Sequence, residues 1–100
     1  METTVTARHC EIPKALREQA VAVIERVAKA AHRPQRGQVV FDVDHQTKTA
    51  ELKLKLPRGV TRVATAEAGD FRTALDRAAE KLRHQLEKTN SRYVRRQVAE

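Results

Sequence analysis

Basic residues recur at helical spacing near the end of this chain: Arg77, Lys81, His84, Lys88 and Arg92, with Arg95 continuing the series. At about 100° per residue they all fall within roughly 60° of Arg77, so they form one stripe along a helix. Such a row suits one kind of chemistry, the neutralisation of successive phosphates on a polyanion. The acids Asp76, Glu80 and Glu87 project to one flank of the stripe, roughly 60–100° away, instead of interrupting it. Phe71, Leu75, Ala78, Leu82, Leu86 and Tyr93 cluster on nearly the opposite side. A helix of this pattern buries one flank on a core and presents its cations outward. Arg26, Lys29 and Arg33, near the end of an earlier helix, extend the candidate surface.

No constellation points to catalysis. Phosphate-cradling glycine loops, a nucleophile elbow and HExxH are all absent from the sequence. Cys10 is alone, which excludes an internal disulfide, and reads as a packing residue. His9 and Cys10 are strand neighbours pointing to opposite faces and are badly placed to share a metal ion. Asp42 and Asp44 share one strand face, and cross-strand pairing with Lys53 and Lys55 is expected to account for them. The reading is a non-enzymatic protein with no metal and no cofactor.

Twenty Lys and Arg against thirteen Asp and Glu give a net charge of +7 and a pI near 10.2. The excess is uneven: residues 70–100 carry eight Lys or Arg against five acids, residues 1–31 five against four. The partner is therefore expected to be an anion, and nucleic acid is favoured over membrane because there is no Trp for a lipid interface. No run approaches the roughly 18 apolar residues of a membrane span, and the start has no basic, then apolar, leader pattern. A cytoplasmic protein is expected.

The elements that must position the stripe follow from periodicity. Thr4 to Cys10 alternates as a strand, and Pro13 opens an alanine-rich helix whose apolar positions run from Leu16 to Ala31. His32 to Gly37 reads as a break. Val39 to Asp44 and Ala50 to Leu56 alternate with period two and form a hairpin around His45-Gln46-Thr47-Lys48. Pro57-Arg58-Gly59 turns the chain into a last strand, Val60 to Ala66, and Asp70 is placed to N-cap the final helix. The expectation is an α+β layer structure, a single β-α-β-β-β-α domain. Both helices cover one face of a four-stranded sheet, and the first strand is free to pair in parallel with a later one. Residues 1–91 form that domain and residues 92–100 a short basic tail.

Nearly the whole chain, Val5 to about Arg92, resembles the ribosome hibernation-promoting and ribosome-associated inhibitor proteins, also called ribosomal subunit interface proteins. The opening Val5-Thr6-Ala7-Arg8-His9, with Glu11-Ile12 and Ala15-Leu16-Arg17-Glu18, is similar to the family's first strand and helix. Ala66-Glu67, Asp70, Ala74-Leu75-Asp76 and Lys81-Leu82-Arg83-His84-Gln85-Leu86-Glu87-Lys88 resemble its closing signature. The resemblance implies a domain that binds the small ribosomal subunit where mRNA and tRNA would sit, with basic helices facing ribosomal RNA. It places Lys81, Lys88 and Arg92 at basic positions of the closing helix, His84 where arginine is common, and Arg26 at a basic position of the first helix. Arg8, in the opening motif, joins the candidate contacts.

Departures from the pattern are Arg72 at a usually aromatic place, Asn90 for a frequent lysine and Val23 where a cation can occur. Ending at Glu100 without the second domain of long relatives, the chain resembles the short form. A short tail leans toward the type that promotes ribosome pairing, with a separate ribosome modulation factor, and toward a monomer when free. Two other classes fit the elements: a general double-stranded RNA-binding module, and a protein-protein interaction module using the open sheet face or an edge strand. The first expects a lysine cluster where Asp70-Phe71-Arg72-Thr73 stands, and the polar Glu51, Lys53 and Lys55 argue against the second.

Overall fold

Alternation along the strands and three- to four-residue spacing along the helices sort the apolar side chains onto a single layer boundary. The computed structural model describes the backbone of residues 1–99 and the side chains of residues 1–88. Its elements are β1 (Glu2–Arg8), α1 (Lys14–Ala28), β2 (Arg36–Asp44), β3 (Thr47–Lys55), a short 3-10 turn (Pro57–Gly59), β4 (Thr61–Ala68) and α2 (Phe71–Ala99). The sheet order is β1-β2-β3-β4. β1 and β2 pair in parallel, which the intervening α1 makes possible, and the remaining pairs are antiparallel. Helix α1 lies over β1 and β2, α2 over β3 and β4, and the two helices pack against each other. The architecture is the α+β arrangement that the periodicities imply.

The core is the space between helices and sheet. Ala20, Ile24, Val27 and Ala28 enter it from α1, Val39, Phe41, Ala50, Leu52 and Leu54 from the central strands, and Leu75, Ala78, Leu82 and Leu86 from α2. Register places Val39 beside Leu52 and Phe41 beside Ala50, so large and small residues alternate across the sheet. Phe41 meets Phe71 edge to face at 5.4 Å between ring centres, fixing the start of α2 on the sheet.

Helix α2 is started by its cap. The Thr73 N–H donates to Asp70 Oδ2 at 2.9 Å and the Thr73 hydroxyl to Oδ1 at 2.8 Å. These bonds favour the ionised form and hold the Asp70 carboxyl below its ordinary range. Asp42 is lowered likewise, first by the His9 ring, which donates at 3.0 Å, and then by the Val43 N–H at 2.8 Å. The unfolded chain binds protons at these carboxyls more tightly than the folded one does. Their stabilisation is therefore complete above the unfolded carboxylate value of about 4 and drains away as pH falls through the lowered folded values. Thermal midpoints measured from pH 7 to pH 2 are expected to show that decline. Asp70→Asn, which keeps the cap but cannot titrate, is expected to make it shallower; an unchanged acid profile would remove Asp70 from the account.

Several sequence expectations change. Strand β1 ends at Arg8, not Cys10, because His9 adopts a left-handed φ of 58°. Helix α1 ends at Ala28, and Lys29, Ala30 and Ala31 tighten into a turn of bonds back to Arg26, Val27 and Ala28. Gly37 is no turn residue: it lies within β2, and a Cβ there would come within 3.2 Å of Ile24 Cδ1 on α1. Asp42 and Asp44 do not face Lys53 and Lys55. They stand opposite Thr49 and Thr47, at the other end of the hairpin, while Lys53 stands opposite Gln38 and Lys55 opposite Arg36. The expected tail, residues 92–100, lies outside the described side chains.

Candidate nucleic-acid interface

With Leu75, Ala78, Leu82 and Leu86 buried, helical geometry leaves one flank of α2 lying along the open edge of β4. Three side chains on that flank bond to the strand. Arg77 Nη1 donates to the Glu67 carbonyl at 3.1 Å, Lys81 Nζ to the Thr65 carbonyl at 3.0 Å, and Gln85 Nε2 to the Val63 carbonyl at 3.0 Å. The match is metric. Four helical residues rise about 6 Å, and two strand residues span about 6.7 Å, so every fourth side chain of α2 meets every second carbonyl of β4. The row satisfies acceptors that a bare edge would offer to another chain. Arg17 does the same for the other edge, donating from α1 to the Val5 carbonyl at 2.8 Å.

Pinning does not remove the charge. Lys81 keeps two of its three ammonium donors and Arg77 four of its five guanidinium donors, and both residues are exposed. The outcome is a row of cations held in register by backbone carbonyls. Lys88 is exposed beyond them on the same flank. His84 projects between the flanks, with Nε2 3.9 Å from Glu80. Arg92 lies outside the described side chains.

The other candidates are placed differently. Arg26 lines the groove between the helices with Val23, Val27, Asp76, Ala79, Glu80 and Arg83, on the side of α2 that carries acids. Lys29 follows α1, and Arg33 sits in the turn before β2 with a left-handed φ of 52°. Both belong to the end of the molecule toward which α2 runs. Arg8 is exposed on the sheet face away from the helices, paired in register with Asp42, so the sheet separates it from the α2 row. Arg72 reaches α1, where its guanidinium lies against the Gln19 side-chain amide and donates at 3.0 and 3.2 Å when the amide oxygen is turned toward it. Gln85 completes the edge row and carries no charge, so a search for cations passes over it; its position four residues after Lys81 is the signal that finds it.

A four-stranded sheet with one parallel pair, covered on one face by two helices, one of which carries a basic row, agrees with sequence comparison. Residues 3–94 match the family model described as Sigma 54 modulation protein / S30EA ribosomal protein. The chain belongs to this family. A ribosome hibernation promoting factor of Pseudomonas putida is 31% identical over 88 residues, covering 88% of this chain and 85% of the relative. A ribosomal subunit interface protein from Coxiella burnetii superposes with a TM-score of 0.79 at 26% identity, over 91% of this chain and 99% of its own. The N-terminal domain of Protein Y from Thermus thermophilus shares the fold, with a TM-score of 0.76 at 24% identity over 89% of this chain and 99% of its own. Among the described residues, no helix of this family member is long and apolar enough to cross a membrane.

Proposed function

We propose that this chain is a non-enzymatic translation regulator of the cytoplasm that binds the small ribosomal subunit in the mRNA and tRNA channel. The basic flank of α2 contacts ribosomal RNA phosphates, and the domain blocks tRNA and mRNA by occupancy, which promotes ribosome hibernation. One observation carries the reading: in a chain of this family, Arg77 and Lys81 are fixed in register along β4 while their charges stay exposed. A row pre-ordered on a rigid edge loses little freedom when it meets a phosphate backbone. Inhibition of this kind requires no group that makes or breaks bonds.

The test is a sedimentation titration against purified small subunits over a range of salt. If about six cations each neutralise a phosphate, log affinity is expected to fall against log salt with a slope on the order of −4 to −5. Salt-independent association, or none, would overturn the reading. Sucrose-gradient profiles of stationary-phase lysates with the chain present and deleted then show whether ribosomes pair with its help.

A further inference from the structure

A further concentration of charge, beyond the α2 row, lies at the end of the sheet where β2 begins and β3 ends. No acid occurs between residues 26 and 41 or between residues 52 and 66, yet these two segments hold Lys29, Arg33, Arg36, Lys53, Lys55, Arg58 and Arg62 besides Arg26. The fold brings those nearest the strand ends to one end of the sheet. Arg36 stands directly opposite Lys55, the Gln35 N–H donates to the Lys55 carbonyl at 2.8 Å, and Arg62 stands opposite Leu54. Among the described residues, Arg36 alone of this group is ion-paired, with Glu2 at 3.2 Å.

The cations occupy places where local physics disfavours them. Arg33 and Arg58 have left-handed φ values of 52° and 66°, a conformation that glycine adopts freely and a side chain does not. Arg36 and Lys55 are like charges set side by side across an antiparallel pair. An arrangement indifferent to ligands would favour glycine or asparagine at the turns; Arg36 has the Glu2 carboxylate across from it on β1, whereas Lys55 has no ion-pair partner among the described residues. Four cations crowd this end of the sheet, two of them in left-handed turns and two side by side across a strand pair, and among the described residues only the Glu2 carboxylate is paired to them, which makes the end an anion-attracting surface.

We propose that this basic pole, centred on Arg33, Arg36, Lys55 and Arg58, is a second phosphate-binding surface that grips an RNA backbone beyond the α2 row. The choice of RNA rests on the proposed function. The two surfaces are continuous: Gln85 bonds to the carbonyl of Val63, next to Arg62, so α2 passes along β4 toward the pole. Among the described residues, the contacts offered there suit a backbone and not bases: Phe41 is buried, and Phe71 packs against it at the far end of the sheet, so neither offers the pole a stacking platform.

The decisive variant is the full chain with Arg33→Gly and Arg58→Gly, which removes two charges and relieves both left-handed turns. Its thermal midpoint is expected to stay within a few degrees of the parent or to rise. Its affinity for purified small subunits, and for a labelled 20-base-pair RNA duplex, is expected to fall roughly tenfold or more at low salt. The log–log salt slope should become shallower by about 1.5 to 2, near 0.9 per lost phosphate contact. Unchanged affinity and slope on both probes would overturn the pole, while a simultaneous loss on Lys81→Gln would leave the α2 reading standing. If the parent ignores small subunits but its duplex binding weakens in the variant, the pole stands and the ribosomal reading falls. If the parent binds neither probe, both fall. Should the glycine variant melt early, Lys55→Gln with Arg62→Gln is read by the same criteria.

Discussion

Reversing Lys81 and Lys88 to glutamate is expected to weaken small-subunit association by roughly a hundredfold or more, since two attractive phosphate contacts become repulsive ones. The structure adds a complication that a helical wheel does not contain. Lys81 also donates to the Thr65 carbonyl, so Lys81→Glu turns a carboxylate toward a carbonyl oxygen and disturbs the β4 edge as well as the ligand. Lys81→Gln separates the two roles. A glutamine four residues on already makes the equivalent bond to Val63, so the substituted amide is expected to keep the edge bond and lose only the charge. Paired with Lys88→Gln, it should leave the thermal midpoint unchanged and reduce the salt slope by about 1.4 to 1.8, measured by sedimentation at graded salt. Full affinity in that double variant would show that these ammonium groups do not touch the ligand.

The second large effect is on stability. Leu82 is fully buried on the face of α2 opposite the cations, packed in the cluster formed with Leu75, Leu86 and the sheet. Leu82→Ala is expected to cost about 3–5 kcal/mol, combining lost transfer energy with the cavity that remains. That is a large share of the roughly 5–15 kcal/mol that holds a domain of this size, so urea midpoints should drop steeply. A loss below about 1 kcal/mol would mean that α2 is not seated as described. The contrast with Lys88 is informative, because one helix carries the core on one flank and the ligand surface on the other. Stability variants and binding variants should therefore separate cleanly.

Much of this was legible before any coordinates. The spacing of Leu75, Ala78, Leu82 and Leu86 named the buried side of α2, and with it the exposed side. Asp70 announced its cap, since a short acidic side chain before an apolar periodic run has free N–H groups to accept from. Alternation in β2 and β3 told which residues share a face, and Asp42, Asp44, Lys53 and Lys55 do share the open one.

Where along the hairpin they meet was another matter. A period of two is unchanged by a slip of two or four residues, so alternation gives the face and leaves the register open. The tight turn at His45-Gln46 decides it, bringing Asp44 to Thr47 and carrying Arg36 out to Lys55. For the same reason Gly37 read as punctuation and proved to be the place where Ile24 comes down on the sheet. The order of elements, the buried sides and the positive row on α2 are readable in the residue order, because all of them depend on neighbours a few residues apart. That Lys81 anchors on Thr65, and that two distant acid-free segments converge at one end of the sheet, emerged with the folded chain. Those outcomes depend on long-range pairing, fixed by turn lengths and by the packing of both helices on one sheet, and no local spacing encodes them.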